Sequence, residues 1–135
     1  MIQRIQSIYL GMVCIMTGAF INLPIYYLDG IAVLPFLNIF LSITIGLCAI
    51  TALVAIFLYK NRKLQMKICW VGVLLATSSI AIAIADYISA TPKEGLSKSI
   101  SYGLIFPILM IVLFLLAWNG INKDEKLVKS MDRLR

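Results

Sequence analysis

Little in this chain has the makings of bond-breaking chemistry. Its 135 residues include three cysteines, six acidic residues and no histidine. Thiol chemistry needs an activated thiolate, and disulfide exchange needs a second thiol beside it. Cys14, Cys48 and Cys69 are odd in number and contain no C-x-x-C pair. Acid–base catalysis and metal binding lack materials for the same reason, and no glycine-rich phosphate loop occurs. The chain is therefore expected to be no enzyme and to hold no cofactor or metal. One acid stands out. Asp86 follows an uncharged stretch, residues 68–85. An acid deep in a membrane marks a functional site by default. Asp86 with Thr44, Thr51, Ser78 and Ser79 would supply pieces of a proton or cation path. Depth argues for a milder role. Eighteen residues separate Lys67 from Asp86. At ~1.5 Å each they nearly cross a ~30 Å hydrocarbon core. Asp86 is expected at the outer headgroup level, paired with Lys93 or Lys98.

The elements that must position these residues are read from the charge pattern. Hydrophobic residues make up 61% and charged residues 13% of the chain, too few polar groups to cover a small soluble domain. Residues 5–28, 30–59, 68–85 and 99–122 contain no Asp, Glu, Lys or Arg. A spanning helix needs about 20 largely apolar residues. The fold class expected is all-α integral membrane, with four transmembrane helices in two hairpins. Spanning strands would alternate polar with apolar residues, whereas these windows are apolar on every side.

In chain order, helices are expected at about residues 5–23, 36–59, 68–88 and 102–118. The first could be mistaken for a signal peptide, but no small-x-small cleavage site precedes a polar chain, so it is read as an uncleaved span. Pro24 and Pro35 push Leu23 and Leu34 out of helical conformation. Ile25-Tyr26-Tyr27-Leu28 is apolar enough to lie in the interface. Pro107 falls within helix 4 and predicts a kink. Residues 1–120 form the transmembrane domain, and 121–135 a basic amphipathic tail.

Lys and Arg set the orientation. One side carries Arg4, Lys60, Arg62, Lys63, Lys67, Lys123, Lys126, Lys129, Arg133 and Arg135, and the other only Lys93 and Lys98. Such an excess belongs in the cytoplasm. Both termini and the central turn are expected there, with the chain in a bacterial inner membrane. The net charge of +6 divides into ten basic against three acidic residues inside and two against three outside. It signals anionic lipid headgroups at the inner face, at about 1 kcal/mol per Lys or Arg, not nucleic acid. Tyr and Trp fall near the predicted helix ends, as interface anchors do.

Three cytoplasmic segments carry a resemblance: Met1–Leu10 (MIQRIQSIYL), Tyr59–Lys67 (YKNRKLQMK) and Lys123–Arg135 (KDEKLVKSMDRLR). They resemble domain-of-unknown-function family 4293, uncharacterised four-span integral membrane proteins of Bacteroidota. The resemblance implies a bacterial inner-membrane protein with four helices, and it implies no activity.

Small residues suggest how the helices meet, since in lipid they permit close approach. Gly72, Ala76, Ser79 and Ala83 recur at spacing four, three, four in helix 3. Ser7, Gly11, Cys14 and Gly18 do so in helix 1, and Ser42, Gly46 and Ala49 in helix 2. Helices 1 and 3 are expected at the centre, with bulky helix 4 facing lipid. In the tail, Leu127, Met131 and Leu134 would share a face opposite Lys126, Lys129 and Arg133, an amphipathic helix able to lie on an anionic surface. The expected role is a non-enzymatic accessory or scaffold subunit. Lys60, Arg62, Lys63, Lys67, Lys126, Lys129, Arg133 and Arg135 would engage a protein partner or anionic lipid. The alternative is a small, homo-oligomeric transporter or channel with Asp86 on its path.

Overall fold

The computed structural model describes residues 2–91 and 98–132, with side chains at all of these except 2–4, 60, 131 and 132. Lys93, Arg133, Leu134, Arg135 and the side chains of Arg4, Lys60 and Met131 lie outside that description. Four helices dominate: α1 (Ile2–Ile21), α2 (Ile39–Phe57), α3 (Arg62–Ser89) and α4 (Ile105–Asp132). α2, α3 and α4 are long and apolar enough to cross a membrane, while the apolar part of α1, Ile5–Ile21, is shorter.

Local chemistry explains the boundaries. α1 stops ahead of Pro24, and Leu34 before Pro35 is extended, with φ −93° and ψ 151°. α2 starts later than expected, at Ile39, because Asn38 caps it: its Oδ1 accepts from the Phe40 and Leu41 amides. α3 starts earlier, at Arg62, because Asn61 caps it through the Leu64 amide. Pro107 does not kink a mid-helix as expected. It is the third residue of α4, in the first turn, where a missing N–H breaks no intrahelical bond.

The first connection is not irregular. β1 (Tyr26–Leu28) and β2 (Ile31–Val33) form a hairpin, and β3 (Lys98–Ile100) pairs with the other edge of β1. Both pairings are antiparallel, with Tyr26 opposite Val33 and Ile100. Asp29 (φ 56°) and Gly30 (φ 80°) form the two-residue turn, the left-handed pair that matches strand twist. The Ile25 amide donates to the Val33 carbonyl and the Ser101 amide to that of Ile25, so one small sheet ties the α1–α2 and α3–α4 connections together.

The helices pack in a ring. α1 lies against α2 and α4, and α3 lies against α2 and α4, which leaves α1 and α3 on a diagonal. This corrects the expectation that α1 and α3 form the centre with α4 outside. Each helix buries one stripe at spacing four and three: Gln6, Leu10, Val13, Thr17 and Phe20 on α1, and Leu41, Ile45, Cys48, Ala52 and Ala55 on α2. On α3 the stripe is Gln65, Cys69, Gly72, Ala76, Ser79 and Ala83; α4 offers Pro107, Met110, Phe114, Ala117 and Ile121. A 3.5-residue period is the packing rhythm of left-handed bundles. The small face of α3 makes room for bulk on α4: a Cβ at Gly72 would sit 2.5 Å from the Phe114 ring. Gly11, Gly18 and Gly46 were expected at helix contacts, but a Cβ on any of them meets nothing within 4 Å. The buried stripe of α1 runs one residue earlier than its small-residue stripe, so those glycines turn away from the core.

Candidate functional site

The charged and amide side chains gather at the two ends of the bundle. At one end α3 finishes beside the start of α2. Asp86 lies in the last turn of α3, half-buried, and accepts a hydrogen bond from Asn38 Nδ2. Asn38 thus serves two helices, its oxygen capping α2 and its amide nitrogen on the carboxylate. Its orientation follows, since only the oxygen can accept from the cap amides. Tyr26, on β1, is buried beside this pair and stands edge-on to Tyr87, with ring centroids 5.5 Å apart. Burial pushes the Tyr26 phenol pKa up, and the nearby charge of Asp86 adds to that. Tyr26, Asn38, Asp86 and Ser89 line a cleft of about 450 Å³ that continues along Val33, Leu37 and Phe40.

Lys98 does not pair with Asp86. Its Nζ donates to the Ala90 carbonyl at 2.6 Å and stands 4.2 Å from the Tyr87 ring centroid. The reason is helix geometry: Ala90 closes α3, whose unpaired carbonyls and dipole attract a cation. Lys93, the other expected partner, lies outside the described residues.

At the opposite end α1 begins, α3 begins and α4 runs on. α4 is a single helix from the apolar segment through Trp118-Asn119-Gly120 into the tail, so no break falls at residues 120 and 121. The absence of a side chain at Gly120 lets α1 approach, because a Cβ there would lie 3.0 Å from Gln6 Cγ. Gln6 Nε2 donates to Asp124 Oδ2 at 3.3 Å, and Arg62 Nη1 donates to the Asp124 carbonyl at 3.2 Å. Gln65, buried, donates to the Ala55 carbonyl of α2 at 3.0 Å. Trp70 and Trp118 meet edge-on at 6.0 Å between α3 and α4. Among the described side chains, Lys63, Lys67, Lys123, Lys126 and Lys129 are exposed, and Arg62 is half-buried in its bond to α4. Lys129 Nζ sits 2.8 Å from Glu125 Oε1. That contact holds the Glu125 carboxyl below its usual range, helped by Lys63 and Arg62.

The structure therefore separates the predicted residues. Asp86 lies at one end, where Lys98 is also found, and Arg62, Lys63, Lys67, Lys123, Lys126 and Lys129 share the other. Between them, Thr44, Thr51, Ser78 and Ser79 each donate to a carbonyl one turn back in their own helix. Sequence reasoning missed Asn38, Gln6 and Gln65, and it read Tyr26 only as an interface residue and Asp124 only as an acid at the start of the tail. For Asn38 a signal existed, an Asn directly before an apolar helical run. For Tyr26 it was Asp-Gly between two apolar triplets. The glutamines carried none, since their partners are distant in sequence.

Compared with known proteins, the chain matches the family model described as Domain of unknown function (DUF4293) over residues 2–134. No curated protein and no solved structure matches it.

Proposed function

Because the chain belongs to the DUF4293 family, whose description assigns no activity, we infer its role from geometry: it is a non-enzymatic membrane scaffold that presents the exposed lysines of a rigid helix to an acidic cytoplasmic protein. α1 is a fourth span. It packs beside α2 and α4 along the bundle, and its apolar Ile5–Ile21 meets the lower end of the ~17–25 residue range. The excess of Lys and Arg puts both ends of the chain and the Lys60–Lys67 turn in the cytoplasm of a bacterium, and the membrane is then the inner one.

The observation that carries this reading is the continuity of α4. Its 28 residues extend about 42 Å at ~1.5 Å per residue, against a hydrocarbon core of ~30 Å. With no hinge before the tail, the helix stands out from the surface instead of lying along it. The ties from Gln6 and Arg62 to Asp124 hold its base. A tail lying flat would favour lipid; a projecting one favours a protein. Exposed Leu127 and Val128 beside Lys123, Lys126 and Lys129 give that surface apolar contact as well as charge.

The test is purification of the tagged full chain from native membranes in mild detergent, with mass spectrometry of what accompanies it. A stoichiometric partner retained by the full chain, and lost on truncation after residue 122 and on charge reversal at Lys126 and Lys129, is expected. Recovery of the chain alone, or only with copies of itself, would contradict the scaffold reading.

A further inference from the structure

Asp86 has little company for a carboxylate. Ionised, it offers about four acceptor sites, and Asn38 supplies one neutral donor. Among the described residues no lysine or arginine is ion-paired with it, Lys98 being engaged by Ala90 and Tyr87. The carboxylate borders an open cleft of about 450 Å³, within the size range of small-ligand sites. Ser89 stands beside it, and its hydroxyl, which donates to the Asp86 carbonyl, keeps its lone pairs. The opposite wall is apolar and faces outward: Leu37 is 64% and Phe40 70% exposed. The cleft thus joins one anionic group to a face of α2 that lipid chains must cover.

We propose that this cleft binds the primary ammonium of an aminophospholipid, whose acyl chains run down the exposed face of α2. This rests on the reading that α2 spans the bilayer with Asp86 at headgroup level. The chemistry selects the ligand. A primary ammonium has three donors and can reach both the Asp86 carboxylate and the Ser89 oxygen. A soluble guanidinium could fork onto the carboxylate beside Asn38, but it would leave the Leu37–Phe40 wall without an occupant. A quaternary ammonium donates nothing and relies on an aromatic cage, whereas among the described residues this lining holds two aromatics, Tyr26 and Phe40. A free amine would fill the polar corner and leave the Leu37–Phe40 wall without an occupant.

The test uses the full chain in nanodiscs of phosphatidylglycerol doped with phosphatidylethanolamine, with retained lipid read by native mass spectrometry. Phosphatidylethanolamine is expected on the protein at about tenfold above its share of the disc, a difference of about 1.4 kcal/mol. Asp86→Asn, which preserves shape, should return it to the bulk share. Ser89→Trp should do the same by filling the cleft while Asp86 and Asn38 stay paired, so loss in both variants is not a folding artefact. Equal retention by Asp86→Asn, or equal enrichment of phosphatidylcholine, would overturn the proposal. Displacement by ethanolamine at matched concentration would overturn the lipid source in favour of a soluble amine. Nanodiscs expose both faces and contain no cytoplasmic partner, so failure of the orientation or of the scaffold role leaves this result intact. A chain that fails to enter the disc sinks the spanning reading and the lipid site together.

Discussion

The two ends of the bundle hold their helices in different ways. At the Asp86 end, backbone does the joining: three short strands link the connections, and one asparagine ties α2 to α3. At the Lys63 end, side chains do it, Gln6 and Arg62 converging on Asp124 and Gln65 reaching Ala55. The first arrangement draws polar groups inward around a cleft. The second turns lysines outward along helices that outrun the apolar core. An end tied around a cleft suits holding something small, and a projecting one suits meeting something large.

Charge reversal at Lys126 and Lys129 attacks the projecting end and should have the largest effect. Partner recovery should fall by more than about tenfold, equivalent to about 1.4 kcal/mol, while the melting temperature in detergent stays near that of the unmodified chain. A matched fall in melting would mean that the lysines support the fold and not a partner. Next comes Gly72→Leu, which strikes the seam between the ends. Leucine would collide with Phe114, and overpacking of this kind costs about 1–3 kcal/mol. Thermal unfolding in detergent checks it, and an unchanged midpoint would mean that α3 and α4 are not this close.

Asn38→Ala is expected to cost about 1 kcal/mol through the lost cap, and Asn38→Asp more. Aspartate caps α2 equally well but sets a second carboxylate against Asp86. If the two variants melt together, Asn38 is only a cap. The smallest effect is a titration. The Tyr26 pKa is raised in the fold, so its contribution to stability is complete below the ordinary tyrosine value near 10 and is lost as pH rises through the folded value. Asp86→Asn removes the smaller cause and leaves burial. Ultraviolet absorbance should show Tyr26 ionising at a lower pH than in the unmodified chain, yet above ~10. No shift would separate the two residues.

What was legible in the sequence follows from the range of the forces. Apolar windows and two prolines show where chain can cross lipid or must leave a helix, because those are local properties. The cap at Asn38 was also local, and it was overlooked because apolar Phe36 and Leu37 read as helix already begun; Asp29 and Gly30 were read as part of a connection but not as a hairpin turn. β3 could not be read, since its three residues gain a partner only when the connections meet. The helix order was misjudged for a physical reason. Small residues were taken to seek each other, but the smooth face of α3 is complementary to bulk, and Phe114 fills it. The basic residues were legible by type, while their rigidity depended on Asp124, Gln6 and an unbroken α4.

The central claim is that the cleft and the basic tail lie on opposite sides of a membrane, with the tail inside. A chain stripped of Cys14, Cys48 and Cys69 by alanine would carry either Tyr27→Cys or Lys126→Cys, both positions being exposed. Sealed right-side-out vesicles would be treated with a membrane-impermeant maleimide. Labelling of the first variant, and of the second only after the vesicles are opened, is the predicted result. Labelling of both in sealed vesicles, or of the second alone, would contradict the topology and every role given to the basic end.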